Sequence, residues 1–151
     1  MTAADRLAEF LRTGRLGLLA VGASYAEVRA VLGSTELAID GPDPVYKYAG
    51  VELYTDGATG LIRTVQLEPF GGVLRLPVEL GLGDSLAVPA DRDGLVELLD
   101  SQGLGHSLGE FHVPGQTDLM VHGSRVMAFC HENGELHSLA VSADRPRTPT
   151  A

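Results

Sequence analysis

Apolar residues recur every three to four positions in three stretches of the chain, residues 3–13, 24–33 and 90–103, and a glycine follows or ends each of them. Because a helix gathers residues at this spacing along one side, the pattern predicts three helices. The second is marked most clearly, since Ser24 and Glu27 match the S-x-x-E capping box, in which each side chain bonds the backbone amide of the other residue. We expect this helix to bury Val28, Val31 and Leu32.

Between the helices, apolar and polar residues alternate, which predicts the strands of an antiparallel sheet. The predicted strands span residues 45–56, 61–68, 73–80, 117–131 and 136–143. Four-residue turns, GATG and ENGE, join the strands of one hairpin in each half of the chain. Residues 34–44 and 103–118 are predicted to be loops, and the tail 144–151 is predicted to be disordered because it lacks apolar anchors.

The dipeptide Asn133-Gly134 predicts a two-residue type I′ turn, because that turn needs positive φ at both central residues. Such a turn would place Cys130 opposite His137 and Phe129 opposite Ser138. One face of the hairpin would then be the core face, with Val126, Ala128, Cys130, His137, Leu139 and Val141. The other face would be a mixed apolar and cationic docking surface, with Arg125, Met127, Phe129, His131 and Leu136.

Three tyrosines form a second candidate patch. Tyr46, Tyr48 and Tyr54 all have even numbers, so a regular strand would present them on one face. Such a row serves either sheet packing or the binding of another protein.

The two halves of the chain follow the same order of a helix, a loop and a hairpin. Gly50 to Tyr54 aligns with Gly123 to Phe129, and the returning strands align as well. We therefore predict an α+β fold made of two helix-plus-antiparallel-hairpin units in tandem, with the helices packed on one face of an antiparallel sheet. The units span about residues 3–68 and 77–143 of a single domain, residues 1–143.

Composition narrows the choice of partner. The formal net charge is −9 and the isoelectric point is near 4.8, which argues against nucleic acid and anionic membranes and favours a basic protein. The apolar run Leu16 to Val21 is too short to cross a bilayer, and one cysteine allows no internal disulfide. A cytoplasmic location is the expectation.

The sequence contains few candidates for catalytic or metal-binding residues. Cys130 beside His137 would suit a nucleophilic pair, although a small buried thiol is the simpler interpretation. The residues available to a metal are His106, His112, His122, Cys130, His131 and His137. Cys130 and His131 point to opposite faces, and neither C-x-x-C nor H-x-x-x-H spacing occurs. We therefore predict no catalytic residues, no metal and no cofactor.

Residues 22–33, GASYAEVRAVLG, combine a glycine, a capping residue and a short helix ending in Leu-Gly, ahead of a tyrosine-bearing hairpin. This pattern resembles the BamE (SmpA/OmlA) lipoprotein domain and one repeat of the beta-lactamase inhibitory proteins (BLIP), which carry two such units. The resemblance implies helices on one side of an antiparallel sheet and a free face for a protein partner. The lipidated cysteine of the lipoproteins and the disulfides of the inhibitors have no counterpart here.

Together these observations predict a non-catalytic protein-binding module, an immunity or inhibitor protein that binds a toxin or enzyme through its sheet face. The predicted binding residues are Tyr46, Tyr48, Tyr54, Arg125, Met127, Phe129 and His131. Two alternatives stay open. One is a ligand-binding or metal-binding protein or an enzyme that uses the histidine-rich second half, and the other is a structural homodimer subunit.

Overall fold

A computed structural model describes residues 2–35, 37–108 and 116–143 of the chain. The predicted tail, residues 144–151, lies outside this range. So do His112 and residues 109–115 of the second predicted loop.

The three predicted helices are confirmed: α1 spans Ala3–Thr13, α2 spans Tyr25–Leu32 and α3 spans Arg92–Ser101. Each begins at a side-chain cap, because the oxygens of Thr2, Ser24 and Asp91 accept hydrogen bonds from backbone N–H groups in the first turn. A single 3-10 turn, Val78–Leu80, replaces the end of the strand predicted over 73–80.

Ten strands form within the described residues, and all paired strands are antiparallel. They are β1 Leu37–Ile39, β2 Val45–Tyr48, β3 Val51–Thr55, β4 Ile62–Leu67, β5 Val73–Arg75, β6 Ser85–Ala87, β7 His106–Leu108, β8 Gln116–Val121, β9 Met127–His131 and β10 Leu136–Ser142. Eight of them make one sheet in the order β1-β2-β3-β4-β10-β9-β8-β7, and β5 pairs with β6 in a separate ribbon. The protein is therefore an α+β protein with a large antiparallel sheet.

Two segments predicted as single strands are hairpins instead. Residues 45–56 turn at Ala49-Gly50, where Ala49 has a φ of 54°. A Cβ on Gly50 would lie 2.9 Å from the carbonyl oxygen of Arg75, so only glycine fits there. Residues 117–131 turn between β8 and β9, and Arg125 occupies this turn with a φ of 65°. Arg125 is thus exposed in a turn and is not on the sheet face where it was predicted.

The buried residues of the sheet share one face by register. Val51 and Leu53 of β3 pair with Leu67 and Val65 of β4, which pair in turn with residues of β10. These side chains belong to one buried cluster that also contains residues of all three helices. The helical members include Leu7, Phe10, Leu11, Val28, Leu32, Leu95 and Leu99. Val31, which was predicted to be buried, is 50% exposed.

No helix in the described part of the chain has the length and apolar character needed to cross a membrane.

Candidate functional site

Cross-strand pairing aligns one residue from each of seven strands in a single row across the large sheet. The row consists of Lys47, Glu52, Gln66, Ala140, Met127, Met120 and Ser107. Because these residues alternate along their strands with members of the buried cluster, they lie on the opposite face of the sheet, where Ala140 is nevertheless only 8% exposed. We call this the outer face. Tyr54 and Phe129 also lie on it, each two residues from a member of the row.

One end of the outer face, on β2 to β4, is an ionic network. The Lys47 ammonium lies 3.6 Å from Glu52 Oε1 and 3.3 Å from Glu68 Oε2. The Tyr54 hydroxyl donates to Glu52 Oε2 at 2.8 Å, and the Gln66 amide donates to Glu68 Oε1 at 3.1 Å. The side chains are one-fifth to one-third exposed, so each ion keeps some contact with water.

Burial and hydrogen bonds between its members shift the pKa values within this network. The hydrogen bond to Glu68 raises the pKa of Lys47. Burial alone would raise the pKa of Glu68, but hydrogen bonds to Glu52 and Lys47 outweigh it and hold that pKa below its usual value. Burial, together with the hydrogen bond to Glu52, raises the pKa of Tyr54 to about 12. At neutral pH, therefore, Lys47 is a cation, Glu68 is a carboxylate and Tyr54 is a neutral phenol.

The other end of the outer face, on β8 to β10, is largely apolar. Met120, Met127 and Phe129 are half-buried, and Ala140 is a small residue between them and the ionic end. Asp118 lies opposite Phe129 and is only 2% exposed. Aromatic and methionine side chains in this half-exposed state are typical of the centre of protein interfaces.

The hairpin tip between β9 and β10 has a different turn from the predicted one. Its loop has three residues, 132–134, because the Gly134 N–H donates to His131 O while the His131 N–H donates to Glu135 O. Only Gly134 has positive φ among the loop residues. Cys130 therefore pairs with Leu136, and the pairing is irregular at His137, which restores the predicted register from Phe129 and Ser138 onward.

Because of this irregularity, Leu136 and His137 lie on the opposite faces of the hairpin from those predicted. Leu136, predicted on the docking surface, is buried with 5% exposure, whereas His137, predicted in the core, is exposed. The His137 ring contacts the ring of His131 edge-on, with centroids 4.9 Å apart. His131 is half-buried beside the apolar end of the outer face.

The nucleophilic pair of Cys130 and His137 does not form. Cys130 is fully buried, and burial raises the pKa of its thiol, although Arg92 lowers it in part. His106 Nε2 lies 3.1 Å from Asp100 Oδ1, away from Cys130. Across the described ranges, no three His, Cys, Asp or Glu side chains are grouped so that they could hold a metal ion.

The predicted tyrosine row is divided between the two faces because residues 45–56 are a hairpin. Tyr54 pairs with Val45 on the outer face, whereas Tyr46 and Tyr48 point toward α2. The Tyr46 ring stacks on Tyr25 with centroids 3.8 Å apart, and the Tyr48 hydroxyl lies 2.7 Å from the Tyr25 hydroxyl. Tyr46 and Tyr48 are therefore packing residues of the first half.

Sequence reasoning did not identify Lys47, Glu52, Gln66 and Glu68 as neighbours. The available signal was the alternation of Glu52 with buried Val51 and Leu53, which indicates that Glu52 and Tyr54 share a face. Their proximity to Lys47 and Glu68 depends on pairing between three strands.

Comparisons with known proteins give no relative: no family model, no curated protein and no solved structure matches the chain. The fold and the outer face define the class as an α+β protein with one broad antiparallel sheet, one face of which carries half-exposed side chains of contrasting chemistry.

Proposed function

We propose that this protein is a non-catalytic protein-binding module that binds its partner through the outer face. The observation that carries the proposal is the continuous row from Lys47 to Ser107, in which an ionic network adjoins Met127 and Met120 on one surface. An apolar centre with a polar surround is the usual anatomy of a protein interface. The binding residues of this proposal are Tyr54, Met127, Phe129 and His131, now with Glu52, Glu68 and Met120.

The order of strands supports two tandem units. Strands β1 to β4 form one half of the sheet and β7 to β10 the other, and the halves meet where β4 pairs with β10. In each half, a helix precedes four consecutive strands, and the tight turn after the second strand contains Gly50 or Gly123. We propose that each unit packs its helices on the inner face, which leaves the outer face of both units for the partner.

The charge of the protein supports a basic partner. A net charge of −9 attracts a cationic protein over long distances and repels an acidic one. The best match within this class is an immunity or inhibitor protein of the cytoplasm that neutralises a basic bacterial toxin or enzyme. The resemblance of residues 22–33 to the inhibitory proteins favours the same role.

The test uses the protein encoded by the adjacent open reading frame, purified separately, and isothermal titration calorimetry. Phe129→Glu is expected to weaken binding by at least about thirtyfold, since a central aromatic residue is replaced by a charge. The matched control is Phe70→Glu, because Phe70 is 87% exposed in a turn outside the large sheet and should leave affinity within about twofold.

Tyr54→Ala extends the test to the ionic end and should also weaken binding. The proposal is wrong if Phe129→Glu and Tyr54→Ala both leave affinity unchanged, or if the neighbouring protein does not bind the wild type. Light scattering that shows a stable dimer lost in Phe129→Glu would instead identify the outer face as a contact between two copies of this chain.

A further inference from the structure

A cleft of about 640 Å³ opens on the other side of the first half, away from the outer face. The first two turns of α2 form one wall, strand β2 another, and the turn between β3 and β4 the third. The residues that matter for recognition are Tyr25, Ala26, Arg29, Tyr46 and Asp56. This volume lies within the range of about 300–1,000 Å³ that is usual for small-molecule sites.

The aromatic wall of the cleft is held rigidly. Tyr25 and Tyr46 stack with an interplanar angle of 13°, and the Tyr25 hydroxyl is 2.7 Å from that of Tyr48. The Tyr48 hydroxyl in turn donates to the carbonyl of Gly33 at the end of α2. Tyr46 is half-buried, so the cleft presents a fixed flat ring on which another planar group can stack.

Most polar side chains around the cleft are already engaged in local hydrogen bonds. The Thr55 hydroxyl donates to the Pro44 carbonyl at 2.8 Å, and Asp56 Oδ1 accepts from the Ala58 N–H at 2.8 Å. Ser24 accepts the Glu27 N–H as the cap of α2. These groups build the walls and leave little capacity for a ligand.

Two hydrogen-bond donors at the cleft are not engaged in this way. Among the described residues, the Arg29 guanidinium has neither a hydrogen bond nor an ion pair, and the Ala26 N–H in the first turn of α2 has no acceptor. Both belong to the wall formed by α2. A guanidinium and an open amide at the positive end of a helix favour a carboxylate, which can accept from both at once.

We infer that this cleft binds an aromatic carboxylate, whose ring stacks on Tyr46 and whose carboxylate bonds to Arg29 and to the Ala26 N–H. The same chemistry is found in a free aromatic acid and in a peptide that ends in an aromatic residue. Asp56 opposes the binding of an anion, so its charge limits affinity without removing the site. This inference is independent of the proposed protein-binding function, because none of its residues lies on the outer face.

The experiment is an amide chemical-shift titration of the full chain with benzoate and, in parallel, with benzamide, which has the same shape without the charge. We expect benzoate to shift the Ala26 amide and the Arg29 Nε signal with a dissociation constant on the order of 1 mM, and benzamide to bind at least about tenfold more weakly. N-acetylphenylalanine and its C-terminal amide form a second pair that represents a peptide end. The acid that binds more tightly shows whether the cleft prefers a free aromatic acid or a peptide end.

Two variants with opposite expectations complete the test. Arg29→Gln should weaken benzoate binding at least about tenfold, whereas Asp56→Asn, which keeps the acceptor for Ala58, should strengthen it a few-fold. Arg75→Gln is the control, because Arg75 is exposed on β5 and does not line the cleft. The inference is overturned if benzamide binds as tightly as benzoate, or if Arg29→Gln behaves like Arg75→Gln.

Discussion

The two ends of the outer face stabilise their half-buried side chains in different ways. On β2 to β4, the half-exposed positions hold ions and hydrogen-bonding groups that bond to one another, with Lys47 between Glu52 and Glu68. On β8 to β10, the corresponding positions hold Met120, Met127 and Phe129, which have few polar atoms to satisfy. One end is ordered by directional bonds, and the other presents mainly apolar side chains that pack against one another.

The difference shows that one face of a sheet can combine paired ionic groups with apolar side chains. Ionic groups that are already paired cost little to leave in water, and they give up hydration reluctantly, so in the proposed interface the ionic end would discriminate between partners. Methionine and phenylalanine gain from any apolar contact, so the other end would supply affinity there. Substitutions at each end test, through the stability of the free protein, whether directional bonds stabilise the ionic end more than the apolar end.

The largest effect is expected at the ionic end. Lys47→Met removes the cation that lies between Glu52 and Glu68, and it should lower the free energy of unfolding at pH 7 by about 1 kcal/mol. Met127→Leu at the apolar end keeps the volume and should change it by less than about 0.5 kcal/mol. Urea unfolding measures both, with Lys47→Arg as the variant that retains the charge. Equal losses for Lys47→Met and Met127→Leu would remove the distinction between the two ends.

A smaller effect is expected in acid. The pKa of Glu68 is lower in the folded protein than its usual value of 4.5, so its contribution is fully present above that pH and is lost as the pH falls through the folded pKa. Glu68→Gln should therefore flatten the fall in stability below pH 5 by less than about 1 kcal/mol. The lowered pKa of Asp5, caused by hydrogen bonds from Thr2, acts in the same direction and persists in the variant as background. An unchanged slope in Glu68→Gln would contradict the role of the ionic network.

A further effect is expected in alkali. Because the folded pKa of Tyr54 is about 12 and its ordinary value is 10.0, the folded state keeps this proton longer than the unfolded state. Stability should therefore fall as the pH rises from 10 toward 12, and Tyr54→Phe should make that fall shallower. Absorbance of the phenolate, followed with urea unfolding at each pH, measures it. Tyr25, whose pKa is also raised by burial, remains in the variant and accounts for the residual slope.

The helices were predictable because their signals are local. A capping side chain and a terminal glycine specify where α2 begins and ends within ten residues of sequence, and burial of Val28 and Leu32 follows from the period. Val31 was misplaced because it lies at the edge of that stripe, and the contact that decides its burial is tertiary.

The hairpins were harder to predict because two of their turns place a non-glycine residue at positive φ. Positive φ costs Ala49 and Arg125 conformational energy that the surrounding strand pairing must offset. Neither alanine nor arginine is typical of turns, so the sequence does not indicate one at these positions. Alternation therefore continued through both turns, so it placed Tyr54 on the same face as Tyr46 and Tyr48, and Arg125 on a sheet face. At the β9–β10 tip, Asn133-Gly134 suits both a two-residue and a three-residue loop, and the choice between them decides which face Leu136 and His137 occupy.

Lys47 is the only lysine in the sequence. Apart from the chain's amino terminus, it is therefore the single target for amine-reactive reagents, and it lies in the middle of the ionic end. Coupling the protein to a surface through this lysine would tether it by the face we propose for the partner. A fluorophore placed on the same residue would report directly on that face.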